Sequence, residues 1–171
     1  MKQKYLIKYL FIYVVLLVSL FIYLFYRTEK TVVTSMLIRV ISLENYAALK
    51  ANILSALPLN DIIIYSLPEG LWILCITLTS KSYYIRLKNL RIDCVYIPLI
   101  FCIGLEFLQL FHITNGRFDL IDIAFCIVFW TLGIFLFNGQ TEKHNIFLRP
   151  NAQAIVCLGS YCIVYLAHVF K

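Results

Sequence analysis

Apolar residues collect in five runs along the chain, and the polar residues gather between them. The first run, residues 9–26, is interrupted only by Ser19; Lys2, Lys4 and Lys8 precede it, and Arg27 and Lys30 follow. Eighteen such residues are enough to span a bilayer as a helix. A basic start also suits a signal peptide, but bulky Phe25 and Tyr26 stand where a small-residue cleavage pattern belongs, so the expectation is an uncleaved membrane helix. Further spans are expected at about 61–79, 94–112, 119–137 and 154–170. Together they predict an all-α fold, a single five-span membrane domain covering 1–171 with no internal repeat.

The intervals between the runs have their own patterns. Within 32–57, Val33, Met36, Leu37, Val40, Leu43, Ala47 and Leu54 recur at helical spacing, with Arg39, Ser42, Asn45 and Asn52 on other faces. An amphipathic helix lying at the interface is predicted there, either filling space against the bundle or covering the polar hairpin described below. Pro58 ends it, and Asn60 or Asp61 caps the next helix. Ser66, Pro68, Glu69 and Gly70 interrupt the second run. Either the helix bends there and Glu69 lines a cavity, or the helix starts near Pro68 with Glu69 in its first turn. Residues 81–93 read as a basic loop, through Lys81, Arg86, Lys88 and Arg91, and 140–153 as a polar loop.

Composition narrows the class. The chain of 171 residues is 62% hydrophobic and 14% charged, against about 25% charged in soluble domains. Its net charge of +6 does not indicate nucleic acid, because the Lys and Arg residues sit in short loops between apolar runs, where they orient a membrane protein. With the N-terminus inside, nine Lys and Arg fall on the cytoplasmic side and six outside. That predicts a multi-pass protein of the bacterial cytoplasmic membrane with the turn near residue 115 outside. The six cysteines lie in or beside apolar segments with no Cys-x-x-Cys pair, so they read as small hydrophobes, without a disulfide framework or metal cluster.

One stretch does not fit a plain bundle. Between the third and fourth spans lie Glu106, Gln109, His112, Arg117, Asp119 and Asp122. Charge in or beside hydrocarbon is costly, so such residues are paired or functional. On a helix, Glu106, Gln109 and His112 follow at i, i+3 and i+6 and share one side. Asp119 and Asp122 repeat the spacing at the start of the next helix, where the dipole favours negative charge. Arg117 sits in the turn between them.

The order Glu-x-x-Gln, a turn ending Gly-Arg, then Asp-x-x-Asp opening a helix resembles the VanZ-like membrane proteins. The resemblance rests on Glu106, Gln109, Gly116, Arg117, Asp119, Asp122 and Gly133, across about thirty residues. Cys126 and Phe129 stand where that family usually has Asn and Gly. The resemblance implies an envelope role connected with glycopeptide antibiotic susceptibility.

Three readings of the hairpin follow. It is a structural ion-pair cluster; it is a ligand site; or it is catalytic, with Glu106 as acid or base, or with carboxylates around a divalent cation. The ligand-site reading takes Glu106, Gln109, Arg117, Asp119 and Asp122 as the ligand-binding set, contacting a lipid head group or peptidoglycan-related component. It assigns no catalytic residue, metal or cofactor. The partners expected are the bilayer and that ligand, with no nucleic acid.

Overall fold

The computed structural model describes residues 2–27, 32–88, 90–113, 118–137, 143–148 and 152–169. It is mostly helical, as the apolar runs predict. The helices are α1 (Lys2–Phe25), α2 (Val32–Ile41), α3 (Leu43–Ala56), α4 (Asp61–Tyr65), α5 (Leu67–Ser80), α6 (Ile97–Leu110), α7 (Leu120–Phe135) and α8 (Ala152–Val169). Strands β1 (Tyr83–Leu87), β2 (Leu90–Asp93) and β3 (His144–Asn145) form a small sheet, and a 3₁₀ turn at Cys94–Tyr96 leads into α6.

Helix α5 is the centre of the fold, with eleven of its fourteen residues buried. A helix apolar on all sides has to be surrounded, and α1, α7 and α8 surround this one. Ser19 Oγ donates to the Pro68 carbonyl at 3.3 Å and Cys75 Sγ lies 3.8 Å from the Ile12 carbonyl, so α1 runs antiparallel to α5. On the other side α5 and α7 run parallel and touch closely. A Cβ on Gly70 would sit 2.4 Å from the Phe129 ring, and one on Gly133 would sit 2.8 Å from Thr77. At the far end Ser80 Oγ meets Tyr161 Oη of α8 at 2.9 Å. Lys81 Nζ donates to the carbonyls of Ile134 and Leu136 at 2.6 and 2.7 Å, placing a cation on the negative end of α7.

Two helices are long and apolar enough to cross a membrane, Tyr5–Phe25 and Asp61–Ser80. The second is broken at Ser66, with Pro68 in the first turn of α5. Both readings of that run are partly met: the helix restarts at Leu67, and α4 extends it by a turn on the other side of the break. Asn60 caps α4, accepting from the Ile62 N–H at 3.3 Å, as expected. The other apolar helices are shorter, at Cys94–Leu110, Leu120–Phe135 and Ala152–Tyr161 among the described residues.

Three expectations need correction. The interfacial segment is two helices, because Ser42 takes φ 69° and opens α3 as its N-cap. Tyr46 Oη donates to the Leu24 carbonyl and Tyr26 Oη to the Leu57 carbonyl, each at 2.6 Å, fastening α3 to the end of α1. The basic loop at 81–93 is instead a β-hairpin with Arg86 opposite Arg91 and Leu87 opposite Leu90. Strand β3, within the expected polar loop, adds to it in parallel, giving the order β2-β1-β3. Its alternation of Tyr, Ile and Leu with Arg is period two, and the density of charge conceals it. Finally, Cys102 and Cys126 form a disulfide between α6 and α7.

The α5–α7 approach gives a direct check. Gly133→Leu drives a side chain into Thr77 and is expected to destabilise the fold by about 1–3 kcal/mol. Gly104→Leu, with nothing within 4 Å of its added Cβ, is expected to leave the melting temperature of the detergent-purified protein within a degree or two of wild type, about the effect of a surface change.

Candidate functional site

The direction of each helix decides which ends meet. Glu69 lies in the first turn of α5, Asp122 in the first turn of α7, and Glu106 in the last turn but one residue-step of α6, which ends at Leu110. Since α5 and α7 are parallel and α6 returns against them, these three carboxylates share one end of the bundle. One oxygen from each lies within 4.8 Å of the other two.

Each carboxylate has a different local support. Glu69 and Asp122 sit at helix N-termini, where the helix dipole and unpaired N–H groups favour negative charge. Glu106 is near a helix C-terminus and only 2% exposed, so it lacks that support. A neighbouring element supplies it instead: the Asp119 N–H donates to Glu106 Oε2 at 3.0 Å. The Asp119 side chain is the N-cap of α7, accepting from the Ile121 N–H at 2.8 Å. Asp119 therefore serves twice, with its side chain starting α7 and its backbone holding Glu106. Asp122 Oδ1 is buried and has no hydrogen-bond partner.

Two like charges about 4.8 Å apart repel by roughly 3–4 kcal/mol at an effective dielectric of about 20. The Asp119 N–H compensates one oxygen of Glu106, while Asp122 Oδ1 stays buried without a partner. The cluster therefore demands further compensation, from a shared proton, donor groups of a ligand or a cation. Three carboxylate oxygens from three helices are a hard-oxygen set of the kind Ca²⁺ or Mg²⁺ takes. Glu69 also lies within the same distance of Cys102 and Cys126 Sγ, but sulfurs bonded to each other are not thiolate ligands.

The other predicted residues are placed less centrally. Gln109 is half-buried in the last turn of α6. His112 does not continue the face of Glu106 and Gln109, because the helix has ended. It is exposed and takes φ 57°, with His112 N–H bonded to the Gln109 carbonyl and Ile113 N–H to the Leu108 carbonyl. That pair of bonds is a Schellman termination with His112 in the left-handed position. Arg117 and Gly116 lie outside the described residues.

Two components escape the sequence reading, and one spacing could have revealed them. Cys102 precedes Glu106 by four residues, and Cys126 follows Asp122 by four. On antiparallel helices whose carboxylates face each other, residues one turn further in also face each other. The mirrored spacing thus pairs the two cysteines directly beneath the carboxylates. Glu69 joins from α5 because Gly70 lets that helix approach the Phe129 ring. Cys126 is the cross-link, and Phe129 is the surface on which Gly70 packs.

No protein-family model matches the chain, and no curated protein or solved structure is detectably similar to it.

The disulfide is checked by intact mass after alkylation in denaturant. The chain should carry two fewer adducts without reductant than with it. Equal numbers in the two samples would contradict the cross-link.

Proposed function

We propose that this chain is a five-span membrane protein of the cell envelope, resembling the VanZ-like proteins. Its site, Glu69, Glu106 and Asp122 with the Asp119 backbone N–H holding Glu106, and with Gln109 and Arg117 carried in the ligand-binding set from the sequence, binds a lipid head group or cell-wall component at the outer face. The observation that carries the reading is the convergence of three carboxylates from three helices within 4.8 Å. Three acids from three helices, one of them almost wholly buried, favour donors: ammonium, hydroxyl or amide groups of the kind that head groups and peptidoglycan precursors present.

The membrane reading is supported by the outer surface of the helices. Leu10, Tyr13, Val14 and Leu17 of α1 are exposed, as are Ile100 and Phe107 of α6 and Val128 and Phe135 of α7. A core helix of a soluble protein would bury those faces. Helix α6 with its leading turn has seventeen residues and α7 has sixteen, so each reaches about 24–26 Å, a few ångströms short of the ~30 Å hydrocarbon core. Orientation has two independent supports. The basic hairpin lies at the end of the bundle opposite the carboxylates, in keeping with the preference for Lys and Arg inside. The disulfide lies one helical turn from the carboxylate end, and disulfides persist on the oxidising side of a membrane.

A second reading has its own observation. Glu106, 2% exposed beside two other carboxylates, is placed as a general acid or base would be, which favours an enzyme acting on a lipid-linked substrate. Turnover by purified protein, lost in Glu106→Gln, would select it.

The binding reading is tested with three variants in cells whose glycopeptide susceptibility the protein alters. Glu106→Gln and Asp122→Asn are expected to weaken the effect roughly tenfold or more, as loss of a charged hydrogen-bonding partner does, with membrane levels unchanged. Asp119→Ser keeps both the helix cap and the backbone N–H and is expected to keep the effect. Full activity in Glu106→Gln and Asp122→Asn together would refute the site.

A further inference from the structure

The hairpin β1–β2 is two-faced. Residues opposite each other in an antiparallel pair share a face, and neighbours along a strand alternate. The register Ile85↔Ile92 and Leu87↔Leu90 therefore lines one face with aliphatic residues, and Tyr84↔Asp93 and Arg86↔Arg91 line the other. The aliphatic face begins in the core, where Ile85 packs against the cluster of Tyr83, Cys94, Ile146 and Cys157. It then runs past the core: Leu87 is 58% exposed and Leu90 is 60% exposed. An antiparallel sheet facing water carries polar residues on its uncovered side, and this one carries leucines.

The other face carries two arginines and, at the core end, one acid, Asp93. Arg91 lies over the Tyr84 ring at 4.1 Å and 3.7 Å from Asp93, and Lys143 also pairs with Asp93. Arg86 and Lys88 are exposed, and no carboxylate among the described residues pairs with either. The hairpin emerges directly from the end of α5 opposite Glu69 and leads straight into α6, so its depth is fixed at the mouth of two helices. Apolar tip, cationic back and that position match one occupant.

We propose that this hairpin docks on the anionic phospholipid surface at the end of the bundle opposite the carboxylates. Leu87 and Leu90 enter the acyl boundary, and Arg86, Lys88 and Arg91 reach the phosphates. The extended strands let the arginine stems lie along the apolar edge while the guanidinium groups turn to the head groups. Docking would hold α5 and α6 at a set height in the leaflet. The proposal rests on the membrane reading above and is independent of what the carboxylate site binds.

The test uses the full chain reconstituted in vesicles, with Cys75, Cys94, Cys157 and Cys162 replaced by Ala and the disulfide kept. A spin label is placed through Leu87→Cys, and a control label through Leu17→Cys on the exposed face of α1. Relaxation by oxygen, which partitions into hydrocarbon, is compared with relaxation by a water-soluble nickel chelate. In phosphatidylglycerol vesicles both labels should respond to oxygen over the chelate. Arg86→Gln with Arg91→Gln should shift the label at 87 toward the chelate, by roughly fivefold in the docking equilibrium for each arginine, without moving the control. A chelate-dominated label at 87 beside an oxygen-dominated control overturns the proposal alone. Equal protection at 87 in phosphatidylcholine, or in the double arginine variant, also overturns it. A chelate-dominated control at 17 instead removes the membrane reading on which it rests.

Discussion

Close approach between α5 and α7 is the contact on which the rest of the structure depends. In the membrane setting proposed above, lipid tails are as apolar as leucine, so helices gain little from hiding apolar surface from each other and rely on tight packing and interhelical hydrogen bonds. Gly133 against Thr77 and Gly70 against Phe129 let two parallel helices meet without side-chain spacers. Parallel neighbours bring their N-termini to the same end. That single fact puts Glu69 beside Asp122, and the return of α6 then adds Glu106. The hydrogen bond from Ser19 to Pro68 holds α1 against the same break in the second run, so the site end is fixed from both sides of α5.

The site and its cross-link are one design read at two depths. Glu106 and Asp122 lie on the carboxylate level, and Cys102 and Cys126 one turn below it. The disulfide holds α6 to α7 where the acids above would push them apart. The Asp119 N–H adds the nearest compensation, and the N-termini of α5 and α7 contribute their dipoles. What remains uncompensated is concentrated on the orphaned Asp122 Oδ1, beside a residue that is itself almost wholly buried. This arrangement is what favours a ligand rich in donors.

Much of this was legible in the sequence. The apolar runs gave most of the helices and their order, Asn60 read as a cap, Asp119 read as a charge at a helix start, and charge within an apolar context marked Glu106 and Asp122. The rest was hidden for physical reasons. Glu69 depends on a helix–helix approach that one chain's local pattern does not encode. The hairpin was masked because Arg86, Lys88 and Arg91 made a period-two segment look like a solvated loop. His112 was assigned to the face of Glu106 by helical arithmetic, and the helix stopped two residues short, at Leu110. Ser42 split the interfacial segment through a positive φ that no propensity of serine announces.

The most direct measurement of the central claim is the distance between the first turns of α5 and α7. Glu69→Cys and Asp122→Cys are combined in a background that keeps Cys102 and Cys126 and replaces the other cysteines by Ala. The membrane-embedded protein is then oxidised and its cross-links mapped by mass spectrometry. The account predicts a bond between positions 69 and 122, and none when Ser82→Cys at the opposite end replaces Asp122→Cys. Failure of positions 69 and 122 to join, with the fold and the native disulfide intact, would contradict the convergence of the carboxylates.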